Sequence, residues 1–270
     1  MRKYLSSDEI KYHLNELLKV FAAFCEEHDL RYSLFGGTLL GAVRHQGFIP
    51  WDDDIDVLMP RPDYEKFLVL ADQLLKGFSV ITHENSALDV YFAKLQNLDI
   101  RSQEPVYVDV VDEYLWLDIF PLDGVPAKVT DYLKVAKRIR SLQRKRKWLA
   151  KNVVMSTKSV PKRLIKAAYF FFNDSDEKRA KFETEINKLL RAIPYDDAER
   201  VAVPSSVETL GWSILREELD FDCYMLFEGE MYRVISDWRN YLEVTYGDYM
   251  TPPSEKNRVN HGVSAWIDGQ

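Results

Sequence analysis

Residues 49–60 read IPWDDDIDVLMP, so four aspartates (Asp52, Asp53, Asp54 and Asp56) run directly into an apolar stretch. Carboxylates this close repel one another, and burying one without a partner is costly. Any fold open to this chain must therefore bring positive charge to this point. If a strand starts at residue 54, Asp54 and Asp56 project from one face while Ile55 and Val57 enter the core. Two carboxylates side by side on a strand make a hard-oxygen site suited to Mg²⁺ or Mn²⁺. A solvated acidic turn would account for the aspartates but not for the apolar residues that follow. A calcium loop of the EF-hand kind is excluded, because its sixth position needs glycine and holds Val57 here.

Upstream, in LFGGTLLGAVRHQG, Gly36 and Gly37 are expected to end a short strand and Thr38 to begin a helix. Backbone N–H groups at such a start can cradle a phosphate, and glycine permits close approach. A Gly-Gly pair alone marks only a turn. Followed about 18 residues later by a carboxylate strand, it points to a diphosphate shared between the glycines and a metal. Bridging two metal ions calls for a third carboxylate. Asp118, in YLWLDIFPLDG, lies inside an apolar run where a lone charge needs a reason. Asp109 and Asp112 are its rivals, and Asp123 is expected in a Pro/Gly turn.

Elsewhere, Ser6 and Glu9 form a capping-box pattern ahead of a helix whose apolar face is Ile10, Leu14, Leu17, Leu18, Phe21 and Cys25. PRPDYEKFLVLADQLL predicts a second long helix, and FSVITH, YFAKLQN, YVDVV and YLWLDIF predict strands. From about residue 128 the chain becomes helix-favouring and basic. Residues 128–172 hold 14 Lys/Arg against Asp131, a local charge of +13 that leaves −20 for the rest. Pro161 breaks this segment, DEKRAKFETEINKLLRAI and SDWRNYLEVTYG predict further helices, and TPPSEKNRVNH reads as a polar tail. The pattern predicts an α+β protein with a catalytic core over 1–127, a basic helical insertion over 128–193 and a segment over 194–270 folding back on the core. No apolar run is long enough to span a bilayer, the start has no signal-peptide character, and Cys25 and Cys223 lack metal spacing. Free, buried thiols and a cytoplasmic location are expected. Residues 134–172 interleave Lys/Arg with Trp148, Tyr169, Phe170, Phe171 and Phe172, which suits peripheral contact with the anionic inner face of a membrane. No nucleic-acid motif accompanies this charge and the whole chain is acidic, so nucleic acid is not an expected partner.

The succession Gly-Gly-Thr, Asp-x-Asp and a later single Asp resembles the nucleotidyltransferase fold. The longer run GGTLLGAVRHQGFIPWDDDIDV, with LDIFPLDG and the late YGDYMTPP, resembles the LicD family, whose domain fukutin-type transferases share. The resemblance covers about residues 30–125 and 225–261. It implies a mixed β-sheet core of the nucleotidyltransferase type with flanking helices. It also implies transfer of phosphocholine, or a related alcohol phosphate, from CDP-choline or another CDP-alcohol with release of CMP. The acceptor would be a sugar hydroxyl of a bacterial surface glycan, such as teichoic acid or its lipid-linked precursor. On this resemblance Asp54, Asp56 and Asp118 are catalytic and bind Mg²⁺, with Mn²⁺ as a substitute. Gly36, Gly37 and Thr38 hold the donor phosphates, and Arg44 and His45 lie near the diphosphate. Trp51 would stack on a base or a quaternary ammonium, or else anchor a lid. Tyr246, Asp248, Lys256, Arg258 and His261 fall where the family carries polar residues, or form a solvated tail. Two other functions fit the aspartates alone: a glycosyltransferase with a nucleotide-sugar donor, and a non-enzymatic acidic metal-binding module. The former generally places about 80–100 residues of nucleotide-binding sheet before its motif, whereas 53 residues precede Asp54 here.

Overall fold

The computed structural model describes residues 2–74, 76–84, 90–103, 113–149, 175–206, 209–258 and 260–269. In chain order its elements are β1 (Arg2–Tyr4), α1 (Ser7–Glu27), β2 (Ser33–Leu34), α2 (Gly36–His45), β3 (Asp56–Pro60), α3 (Arg61–Leu74), β4 (Phe78–Ile81), β5 (Ala93–Gln103), β6 (Tyr114–Val125), α4 (Val129–Trp148), α5 (Ser175–Leu190), β7 (Arg200–Ala202), β8 (Ile214–Leu215), β9 (Cys223–Phe227), β10 (Glu230–Val234), α6 (Trp238–Tyr246) and β11 (Ser264–Asp268). Two compact units result: Met1–Leu122 with Ile214–Gln270, and Asp123–Ser213.

In the first unit α1 begins at the expected cap. Ser6 Oγ accepts the Glu9 N–H at 3.2 Å and Glu9 Oε2 accepts the Ser6 N–H at 2.8 Å, which satisfies two otherwise orphaned donors. Leu14, Leu17, Leu18, Phe21 and Cys25 are buried, and Phe21 meets Tyr32 and Phe67 edge-on with centroids 5.3 Å apart. Both cysteines are free, Cys25 buried as expected and Cys223 only partly so.

The sheet of this unit runs β1-β11-β5-β6-β3-β2, with β4 paired to Lys94–Asn97 of β5. Its pairings are antiparallel except that of β3 with β6. A parallel pair needs a long crossover, supplied here by α3, β4 and β5. This is an α+β fold with a mixed sheet core and helices. The parallel register sets Asp56 opposite Asp118, while the antiparallel register of β5 with β6 sets Lys94 opposite the same Asp118. β9 and β10 form a hairpin whose turn, Glu228–Gly229, has positive φ at both residues, as a tight right-twisted hairpin requires.

In the second unit the last residues of β6 pair with β7, and Val125, Tyr132, Ala136 and Ala202 form a buried cluster. α4 meets α5 through Arg138–Glu185 at 2.7 Å and Arg146–Glu183 at 3.1 Å. The basic helix is thus not a uniformly solvated face: Arg146 is buried, whereas Arg144, Lys145 and Lys147 are exposed.

Three boundaries differ from expectation. α2 starts at Gly36 rather than Thr38, because Phe35 already serves as the N-cap. β3 starts at Asp56 rather than at residue 54, although the Ile55 carbonyl accepts the Asp118 N–H at 2.8 Å just before the ladder proper. Asp123 lies within β6, buried and paired with Ala202, not in a turn; Pro121 and Gly124 are accommodated in the strand. The expected strand YVDVV with Asp109 and Asp112, the break at Pro161 and the aromatic run 169–172 lie outside the described residues. Among the described residues no helix is long and apolar enough to cross a membrane.

Candidate active site

The entry to α2 is built against the aspartates. Gly36 has φ +53°, a left-handed conformation that side chains disfavour, and a Cβ there would collide with the Asp56 carboxylate. A Cβ on Gly37 would come within 2.6 Å of Asp52 Oδ2. The glycines therefore allow two carboxylates to reach the positive end of the helix. Thr38 is buried, and its hydroxyl accepts the Asp56 N–H at 2.9 Å, so it fixes the start of β3. The Phe35 N–H donates to the Asp56 carbonyl at 3.0 Å, and the Gly36 N–H donates to the Tyr241 hydroxyl of α6 at 3.2 Å.

The four clustered aspartates divide their work. Asp56 joins Asp118 across the parallel strands. Asp52 and Asp54 share a carboxylate–carboxylate hydrogen bond. Burial first, and then the Asp52 charge, push the Asp54 carboxyl up to about 8, and burial raises Asp52 as well. Without a divalent ion the pair is thus biased toward holding a proton between its carboxylates. Asp54 Oδ2 also lies 3.1 Å from His261 Nε2. Asp53 turns away and accepts the backbone N–H groups of His261 and Val263, both at 2.9 Å.

Arg44 and His45 sit in the last turn of α2. Eight residues at about 1.5 Å rise separate Arg44 from Gly36, roughly 12 Å, so one helix length parts these groups from the glycines. Arg44 donates to His45 Nε2 at 2.9 Å and to the Tyr249 carbonyl at 3.0 Å. Its guanidinium lies 5.8 Å from the Trp51 ring, and that of Arg258 lies 4.4 Å from the same ring. Burial and the Arg44 charge hold His45 below its usual range. A cleft of about 420 Å³ opens beside Trp51, Asp52 and Asp53 against residues 262–265, within the size range of small-ligand sites.

Sequence reasoning missed Lys94. It is 3% exposed, with Nζ 3.5 Å from Asp118 Oδ1 and 3.7 Å from the Trp116 ring centroid. The signal that singled out Asp118, a charge inside an apolar strand, was equally present in YFAKLQN. Asp52 stands in the sequence only as one of four clustered aspartates with no role of its own, and His261 among residues of a tail with no assigned contact.

The donor set fits a hard divalent cation. It consists of carboxylate oxygens on a strand and its lead-in, at a helix entry cleared by missing Cβ atoms, where burial raises both Asp52 and Asp54. Among the described residues no three His, Cys, Asp or Glu side chains already converge as a cage. Mg²⁺ typically takes one or two carboxylates and completes its shell with water and substrate phosphate, so a preformed cage is not required.

Comparison with known proteins is specific. Residues 29–122 match the family described as LicD/FKTN/FKRP, nucleotidyltransferase domain. The chain is 30% identical over 263 residues to the lipopolysaccharide cholinephosphotransferase LicD of Haemophilus influenzae, covering 93% of this chain and 94% of that one. It is 46% identical over 44 residues to the ribitol 5-phosphate transferase FKRP of mouse and of human, covering 16% of this chain and 9% of each of those.

Proposed function

The chain belongs to the LicD family, and from that premise we propose that it is a metal-dependent phosphotransferase. It moves phosphocholine, or a related alcohol phosphate, from a CDP-linked donor to a sugar hydroxyl of a bacterial surface glycan such as teichoic acid or its lipid-linked precursor. The observation that carries this reading is the in-register pair Asp56 and Asp118 beside the Gly36–Gly37 helix entry. Asp54, Asp56 and Asp118 would hold Mg²⁺ or Mn²⁺. The bound ion would neutralise donor phosphate charge and make the phosphorus a better electrophile.

Gly36 and Gly37 let Asp56 and Asp52 close on the positive end of α2, where a bound ion would meet the donor phosphates, and Thr38 keeps Asp56 in place. Arg44 and His45, with Trp51, address the donor from the far end of the helix. Asp118 accepts the proton of the acceptor hydroxyl as its oxygen attacks the phosphorus that bears the choline. The bond from that phosphorus to the bridging oxygen breaks, and CMP leaves with the electron pair. Positioning and charge neutralisation are what such a transfer asks of a protein. The exposed cations at the end of α4 favour a location at the inner membrane face, close to a lipid-linked acceptor.

The test is CMP release with Mg²⁺ from CDP-choline, CDP-ethanolamine, CDP-glycerol and CDP-ribitol, with UDP-sugars alongside. One CDP-alcohol should be turned over, and Asp56→Asn should reduce that rate by at least about 100-fold, the loss typical of one electrostatic contact in a transition state. Turnover of UDP-sugars alone, or full activity in Asp56→Asn, would refute the reading.

A further inference from the structure

Asp56, Asp118 and Lys94 stand in register across three adjacent strands, β3, β6 and β5. Withdrawing an ammonium from water is unfavourable unless its partners are well placed. Those of Lys94 are not. Its 3.5 Å separation from Asp118 Oδ1 exceeds the roughly 2.7–2.9 Å of a charge-assisted hydrogen bond. The Trp116 ring offers attraction over a whole face rather than along one direction, so the head group can pivot without losing it. An ammonium carries three donors, more than one carboxylate oxygen and a ring face engage. The indole N–H of Trp116, on the same strand face as Asp118, adds a buried donor with no acceptor among the described residues.

Asp118 cannot serve the ammonium and a divalent ion at once without bringing two cations together. We propose that Lys94 is a phosphate ligand. Its ammonium neutralises Asp118 in the metal-free protein and, once Asp118 is committed to a metal, moves over the Trp116 face to a phosphoryl oxygen. This rests on the proposed function only in identifying that phosphate as the donor's.

The experiment uses the full chain with three probes: Mn²⁺ alone followed by electron spin resonance, then inorganic pyrophosphate and CDP-choline, each titrated calorimetrically at saturating Mn²⁺. Lys94→Met should bind Mn²⁺ alone about 3–10-fold more tightly, because a competing cation is gone. The same variant should bind pyrophosphate at least about 10-fold more weakly, having lost one charge-assisted contact. Lys94→Arg, which keeps the charge, should recover most of the pyrophosphate affinity and covers the case in which Lys94→Met does not fold. A purely structural lysine would move both affinities the same way. Parallel losses, wild-type pyrophosphate affinity in Lys94→Met, or an equal loss in Lys94→Arg would overturn the assignment. Wild-type protein that binds Mn²⁺ and pyrophosphate but not CDP-choline would remove CDP-choline as the donor while leaving the role of Lys94 in place.

Discussion

Asp54 carries the clearest consequence at the scale of a single residue. In metal-free protein its carboxyl is raised from an ordinary 3.8 to about 8 by burial and by Asp52. Between about pH 4 and pH 8 the native state therefore holds a proton that the unfolded chain has lost, so stability falls as pH rises through that window. Asp54→Asn removes this titration. In EDTA the variant should melt higher than wild type at pH 8.5 and close to it at pH 5, and saturating Mn²⁺ should reverse the order at pH 8.5. Parallel melting-temperature profiles would contradict the shared proton. Gly37→Ala tests the neighbouring contact: its Cβ would displace Asp52, and Mn²⁺ affinity should fall even with no donor present. Asp54, Asp56 and Asp118 were legible as candidates because a charge inside an apolar run needs a partner. Lys94 obeys the same rule, but a lysine's long stem commonly carries its head to water, which makes a buried one easy to pass over. The glycines announced a close approach without saying what approaches, since Asp52 and Asp56 come from a different element.

Among the elements, α4 was legible as a basic helix but not in its division of labour. Its periodicity turns Arg146 inward to Glu183 and leaves Arg144, Lys145 and Lys147 outside, next to the 42%-exposed Trp148. With Leu149, Lys178 and Phe182 this end of the helix lines an apolar cleft of about 290 Å³ rimmed by cations. Anionic vesicles should therefore bind the protein at low salt and release it at high salt. The triple exchange Arg144→Glu, Lys145→Glu, Lys147→Glu should abolish co-sedimentation with little change in melting temperature. Arg146→Ala should instead lower the melting temperature, because it empties a buried site and leaves the half-buried Glu183 without this cation. Absence of binding by wild type at low salt would assign the face to solvent or to a protein. Strand boundaries were less legible than strand identities. The first ladder residue of β3 is decided by its partners on β2 and β6, and the placement of Asp123 inside β6 by pairing with a strand some 80 residues later.

The first unit as a whole draws its site from both ends of the chain. Asp53 holds His261 and Val263, and β11 then joins β5 to β1. The tail TPPSEKNRVNH, polar and proline-rich, gave no hint of these contacts, because they are made by backbone N–H groups to a carboxylate more than 200 residues upstream. Cutting the chain after Arg258 should lower the melting temperature, expose the Arg101 and Gln103 amides to hydrogen exchange and weaken Mn²⁺ binding. Unchanged Mn²⁺ affinity would show that the carboxylates need no support from the tail. The same long-range tie sets a timetable for the protein's own synthesis. At about 5–20 residues per second, the acidic cluster is synthesised roughly 10–40 s before His261 exists to meet it, over a separation of 208 residues. Growing chains therefore pass through most of translation before Asp53 has its backbone partners and before β11 can join β5 to β1.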